Sequence, residues 1–217
     1  CVGRRGQMGN IIKFYEAIVC RRNGELMGIT VQRMLEIEKI TSELLTDVDF
    51  EEKPYVDIVA LVEKAGFVVE TRDMDIDTTG CLFVNDETNS EKKNRLILVN
   101  TRFRNSENES DVVFKKSRFI TAHEYGHFVL HKKEGESIYA HRDTDHRTEE
   151  PELEADYFAR SILMPKEQFL AYYQALQQLG SGDKEFINRM LSRLFRVTKN
   201  KVRKRTEDLL ALGLITE

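Results

Sequence analysis

The 217-residue sequence lacks the features of several specialised protein classes. Its three cysteines, Cys1, Cys20 and Cys81, are odd in number and widely spaced, which excludes a disulfide framework and is typical of reduced thiols in a cytoplasmic protein. No stretch approaches the roughly 20 apolar residues of a membrane span. The apolar run at 11–19 is interrupted by charged residues and does not predict a signal peptide. No membrane partner is therefore expected.

The charge balance is also unremarkable, because 33 Lys and Arg residues face 37 Asp and Glu residues, for a formal net charge of -4. So small a charge selects neither nucleic acid nor an anionic membrane as a partner. Hydrophobic residues make up 41% of the chain, which is enough for a packed core and argues against disorder.

The apolar pattern divides the chain into three regions. Residues 1–53 are predicted to form an N-terminal segment that is flexible at 1–26 and helical at 30–45, with Thr30 as the N-cap. Residues 54–180 are predicted to form the main domain. After a Gly-Ser-Gly break, residues 183–217 are predicted to form a helical C-terminal subdomain of two short helices.

The main domain mixes helix and strand patterns and predicts an α+β fold with a small, mainly antiparallel sheet. The strand patterns are at 67–71, 80–85 and 95–100. Helical patterns occur at 55–65, 111–131, 151–163 and 164–179. Pro151 suits the first turn of a helix. Residues 132–150 are charged and without periodicity, so a surface loop is predicted there.

The helix at 111–131 carries the pattern His123-Glu124-Tyr125-Gly126-His127. Two histidines four residues apart lie on one helical face and can bind one metal ion. Zinc takes about four ligands, and catalytic sites leave one position for water. Glu124 is the candidate general base, which would take a proton from that water and deliver it to the leaving amine. Apolar flanks on both sides favour a functional pair over structural histidines, because buried polar groups need partners.

A third ligand is expected from the helix that begins near Pro151 and carries Glu152, Glu154 and Asp156. Its inward face is defined by small and apolar residues, namely Ala155, Ala159, Ile162 and Leu163. Glu152 and Asp156 lie at one edge of that face, whereas Glu154 points away from it. Glu152 is therefore favoured over Glu154 as the ligand, and Asp156 as the carboxylate that holds a histidine tautomer. The alternative is a solvated acidic face.

The other histidines have weaker claims. His131 continues the four-residue spacing, but the three-histidine peptidase pattern needs a longer spacing and an intervening glycine, so His131 is interpreted as a helix-end residue. His141 and His146 lie in the polar loop and are expected to be solvated, with one of them a candidate for stabilising an oxyanion.

Two segments carry a family resemblance: residues 118–131 (RFITAHEYGHFVLH) and residues 152–159 (ELEADYFA), the second followed by Leu163-Met164-Pro165. They resemble the ImmA/IrrE family of metallopeptidases, and the similarity extends over about residues 54–170.

The resemblance implies a zincin-like core of the gluzincin type, with the sheet packed on a pair of active-site helices. Residues 54–180 would be a zinc metallopeptidase domain in which His123, His127 and Glu152 bind Zn²⁺ and Glu124 is the base. It also implies a bacterial or mobile-element protein that acts as an antirepressor, by cleaving a transcriptional repressor with a helix-turn-helix. No clear DNA-binding domain precedes the main domain, so the repressor would be supplied in trans.

A regulatory module that binds protein or DNA is the alternative function, with a sensory or structural metal site. Its support is a basic run after Val197-Thr198, consisting of Lys199, Lys201, Arg203, Lys204 and Arg205. Such a run is more often a solvated helix face. A closed structural zinc site is disfavoured because the motifs supply only three protein ligands.

Overall fold

A computed structural model of the chain describes residues 20–22, 25–75, 78–85, 94–101, 110–132, 138–141, 149–179 and 183–216. Seven helices lie within these ranges: α1 (Val31–Leu44), α2 (Ile58–Lys64), α3 (Ser110–His131), α4 (Glu150–Leu163), α5 (Lys166–Leu179), α6 (Lys184–Leu194) and α7 (Lys199–Ala211). Not one of these helices is long and apolar enough to cross a membrane.

The strands of the described residues form two sheets. Near the start of the chain, β1 (Cys20–Arg22) and β2 (Glu25–Met27) pair antiparallel. The main sheet has the order β3-β5-β4-β6. Its strands are β3 (Val68–Arg72), β4 (Gly80–Asn85), β5 (Asn94–Asn100) and β6 (Ile138–His141). The predicted α+β class is confirmed.

The sheet is mixed. As predicted, antiparallel pairing dominates, because β4 runs antiparallel to both β5 and β6. The parallel pairing of β3 with β5 is not predicted by the sequence pattern. The prediction of a loop over the whole of 132–150 is wrong, since β6 lies within it. This strand is only four residues long and is flanked by charged sequence, so its pairing with β4 fixes it rather than a local pattern.

Several helix boundaries follow from capping residues. The side chains of Thr30 and Asp183 accept hydrogen bonds from backbone N–H groups in the first turns of α1 and α6. A proline occupies the first turn of α4, as predicted from Pro151. Helix α2 begins at Ile58 rather than near Tyr55, because Asp57 caps it by accepting from Ala60 N.

Helix α3 lies at the centre of the domain, where it contacts α4 on one side and β4 and β5 on the other. The two helices approach closely at Gly126, since a Cβ added there would lie 3.3 Å from the Cα of Ala155 and 2.9 Å from a ring carbon of Phe158. Ala155 and Ala159 are fully buried, as the helical pattern predicts. Small residues thus set the short distance between the two helices.

Helix α1 is built into this core through a buried polar cluster. Glu38 accepts hydrogen bonds from Tyr157 Oη (2.7 Å) and Ser161 Oγ (2.8 Å) of α4. It also forms a two-point ion pair with Arg205 of α7, whose guanidinium is fully buried. The cluster therefore joins α1 and α7 across α4. Val31 and Leu35 of α1 lie outside this core and are exposed.

Candidate metal centre

Three candidate ligand residues from two helices meet at one point. His123 and His127 come from α3 and Glu152 from the first turn of α4. The two Nε2 atoms are 3.0 Å apart. Glu152 Oε2 lies 3.2 Å from His123 Nε2, and Glu152 Oε1 lies 2.9 Å from His127 Nε2. Among the described residues this trio is the group of His, Cys, Asp and Glu side chains that could hold a metal ion, with its ligand atoms within 4.8 Å of one another.

The spacing of these atoms fits an ion with tetrahedral coordination. Four nitrogen or oxygen ligands at about 2.0 Å from zinc are separated by roughly 3.3 Å from one another. The distances of 2.9 to 3.2 Å between the three side chains are close to that value. Two imidazoles and one carboxylate are also a donor set that zinc accepts, with a fourth position open to water. The residues present therefore fit a catalytic zinc site.

The protonation states also suit a cation. Burial lowers the pKa of His127, which favours the neutral imidazole that a metal needs. Burial alone would raise the pKa of Glu152, but its hydrogen bonds and charge interactions with His123 and His127 outweigh burial and lower that pKa well below its usual range. Glu152 is therefore ionised at neutral pH.

Asp156 lies behind the first histidine. Its Oδ1 is 3.0 Å from His123 Nδ1, the nitrogen that faces away from Glu152. Lys201 of α7 reaches the other oxygen of Asp156 at 3.5 Å and also lies over the ring of Phe119, 3.4 Å from its centroid. The carboxylate thus lies between the imidazole and a cation from the C-terminal helices, a position suited to fixing the His123 tautomer.

Glu124 is fully buried and lies against the start of β4. A Cβ added at Gly80 would be 2.7 Å from Glu124 Oε1 and 2.5 Å from a methyl carbon of Ile120, so only glycine leaves room for this carboxylate. The neighbouring thiol of Cys81 is free and buried. Burial, with a smaller effect from the Glu124 charge, raises the pKa of Cys81 to about 11, so this cysteine is a neutral thiol at physiological pH.

Asn100 fixes the segment that leads into Gly80. Its side-chain amide donates to the backbone oxygens of Asp75 (2.9 Å) and Thr78 (2.5 Å) and accepts from Met74 N (3.2 Å). Its own backbone N–H donates to Thr79 O at 3.0 Å. These bonds determine where β4 begins, and hence where Gly80 meets Glu124.

The remaining predicted residues are placed differently. His131 does not join the metal-ligand group; its two ring nitrogens contact His127 and Glu154. Glu154 lies outside the metal-ligand group and is buried, although the helical pattern predicts that it points away from the inward face of α4. The side chain of His141 and all of His146 lie outside the described residues.

Comparison with known protein families agrees with this geometry. The family model for the M78 peptidases, described as the IrrE N-terminal-like domain, matches residues 62–207. The chain belongs to this family of metallopeptidases. No curated protein matches the chain significantly. The metal-ligand group and Glu124 both lie within the matched region.

The family match also includes the whole of the basic run, and four of its five members face carboxylates. Lys199 pairs with Glu185 at 2.6 Å and Lys204 with Glu207 at 2.8 Å. Lys201 faces Asp156, and Arg205 is buried against Glu38. Because four of these cations face carboxylates, the run produces only a weak positive potential for binding phosphates. The alternative function as a nucleic-acid module therefore loses its main support.

Sequence reasoning missed Gly80, Arg33 and Lys201 as neighbours of the site. Gly80 carries a weak local sign, a glycine at the start of a strand pattern, which often marks a close approach. Arg33 and Lys201 reach Glu154 and Asp156 from helices distant in sequence, and no local pattern reveals such pairs.

Proposed function

We propose that this protein is a zinc-dependent endopeptidase that hydrolyses a peptide bond in a protein substrate. The observation that carries the proposal is the convergence of His123 Nε2, His127 Nε2 and the Glu152 carboxylate at tetrahedral spacing, next to a buried glutamate. Membership in a family of metallopeptidases supports the same reaction class.

Each polar side chain of the site has a role in this scheme. His123, His127 and Glu152 would hold zinc, which when bound supplies a Lewis acid and lowers the pKa of water to about 7. Glu124 accepts the proton of the attacking water and passes it to the leaving amine. Asp156 holds His123 in the tautomer that presents Nε2 forward.

For the substrate, we propose a transcriptional repressor that carries a helix-turn-helix. The support is the resemblance of residues 118–131 and 152–159 to the ImmA/IrrE metallopeptidases. Cleavage of the repressor would release its operator, so the protein would act as an antirepressor.

The test uses protein purified without chelator and the repressors encoded beside its gene. We expect about one zinc per chain by elemental analysis, as a single three-residue site requires. Mass spectrometry should find two complementary repressor fragments, which disappear with a chelator and return with added zinc. Protein that contains no divalent metal would contradict the zinc assignment. Zinc-loaded protein that leaves every such repressor intact would contradict the substrate assignment.

Replacing Gly80 with alanine should impair cleavage without removing the metal. The new Cβ would overlap Ile120 and Glu124 Oε1, so the general base must move. A displacement of about 1 Å can cost on the order of 100-fold in rate. We expect at least a tenfold fall in kcat with unchanged zinc content. Gly66→Ala is the matched control, since its Cβ would meet nothing within 4 Å and its effect is confined to backbone strain. Equal rates in the two variants would contradict the assigned position of Glu124.

A further inference from the structure

The two metal-facing histidines differ in what lies behind them. Both direct Nε2 toward Glu152, which leaves Nδ1 of each ring at the rear. His123 Nδ1 meets the carboxylate of Asp156 directly. His127 Nδ1 instead lies 3.2 Å from Nδ1 of a third histidine, His131, one helical turn further along α3.

A metal ion bound to His127 would determine where the hydrogens lie in the contact between His127 and His131. If His127 Nε2 gives its lone pair to a cation, the ring carries its proton on Nδ1 and must donate. His131 Nδ1 must then accept, so the proton of a neutral His131 is on Nε2. The acceptor for that proton is present, because Glu154 Oε2 lies 3.0 Å from His131 Nε2. This arrangement of protons gives each nitrogen in the hydrogen-bond chain His127–His131–Glu154 a suitable partner.

Arg33 of α1 is the last member of this series of hydrogen bonds. Its Nε and Nη2 each donate to one oxygen of Glu154, both at 2.8 Å. This two-point geometry holds the carboxylate in one orientation. Glu154 is buried, and both of its oxygens face the guanidinium of Arg33, which stabilises the charged carboxylate. Glu154 therefore remains an acceptor for His131.

We propose that Arg33, Glu154 and His131 are positioning residues that hold His127 in the Nδ1–H tautomer required for metal binding. The proposal rests on the zinc site put forward above and deepens it. It makes α1 a part of the metal centre, although Arg33 precedes the region that the family model matches, residues 62–207. It also gives His131 a role other than that of a ligand or a helix-end residue.

The first experiment compares Arg33→Gln with Lys39→Gln in the full chain. Both variants exchange a cation of α1 for an amide, but Lys39 is exposed and pairs only loosely with Glu43, at 3.8 Å. Competition with a chromogenic chelator measures the zinc dissociation constant of each. Loss of an outer partner of a ligand typically costs 10- to 100-fold in metal affinity. We expect a loss in that range for Arg33→Gln and wild-type affinity for Lys39→Gln.

A second pair of variants tests His131, in the middle of this series of hydrogen bonds. His131→Gln retains one acceptor and one donor, whereas His131→Leu retains neither. We expect zinc affinity to fall at least tenfold in His131→Leu and to be partly restored in His131→Gln. Thermal unfolding of the metal-free proteins identifies any variant that has lost its fold. Long-range proton–nitrogen correlation spectra of the zinc-loaded wild type should place the His127 proton on Nδ1 and the His131 proton on Nε2.

The outcomes separate this proposal from the proposed function. If the wild type binds no zinc, the zinc site itself is wrong. If the wild type binds zinc but folded Arg33→Gln and His131→Leu bind it equally well, the proposed positioning role is wrong, whereas the zinc site is retained. The opposite tautomer of His127 in the spectra would likewise overturn the chain.

Discussion

Glu124→Gln should lower the rate of repressor cleavage by a factor of about 10² to 10⁴, the usual contribution of a general base. The amide has nearly the same size, so it fits the buried space beside Gly80, but it cannot take up a proton at neutral pH. Zinc content should be unchanged, because Glu124 is not among the three candidate ligands. Cleavage is measured by mass spectrometry of the repressor fragments, and zinc by elemental analysis.

The matched control is Glu167→Gln on α5, which makes the same change at an exposed glutamate paired with Lys166. This variant should cleave at the wild-type rate. Glu152→Gln serves as the opposite control, since it should lose both zinc and cleavage. Full cleavage activity in folded, zinc-loaded Glu124→Gln would show that another group provides the base, and loss of zinc from it would show that Glu124 is a ligand.

The second large effect is expected in stability, from Glu38→Leu. This change leaves the fully buried guanidinium of Arg205 without its counter-charge and removes the acceptor for Tyr157 and Ser161. Breaking a buried ion pair on one side typically costs about 3 to 5 kcal/mol. The free energy of unfolding, measured by urea denaturation followed by circular dichroism, should fall by that amount.

The double variant Glu38→Leu/Arg205→Met distinguishes the lost charge balance from the lost packing. Replacement of both partners by apolar residues removes the uncompensated charge, so most of the stability should return. Glu43→Leu, at an exposed position of the same helix, should change the unfolding free energy by less than about 0.5 kcal/mol. A double variant as unstable as Glu38→Leu would mean that packing, not charge, dominates at this position.

Local chemistry in the sequence predicts much of the fold. Thr30, Asp183 and Pro151 mark helix starts because capping needs a side-chain oxygen or a missing N–H at a defined position. The short apolar run at 80–85 predicts β4 with its observed bounds. For the site, the spacing of His123 and His127 and the inward face of α4 suffice to single out the three side chains that the structure brings together.

Long-range pairing accounts for the rest. The parallel register of β3 with β5 and the addition of β6 to β4 depend on strands that meet only in the folded chain. Glu38 is buried in α1, yet no local pattern reveals that Arg205, 167 residues further on, balances its charge. The same holds for Arg33 and Glu154, which are separated by 121 residues.

The position of α1 bears on how the limits of this domain are drawn. The family similarity begins at residue 62 and ends at residue 207, so it includes Arg205 and Glu154 but neither of their partners on α1. A fragment cut to those limits would have a buried cation and a buried carboxylate exposed to solvent or left uncompensated. The region of family similarity is thus shorter than the part of the protein that is needed to pair these two buried charges. Inactivity of such a fragment would therefore say nothing about the chemistry of the intact protein.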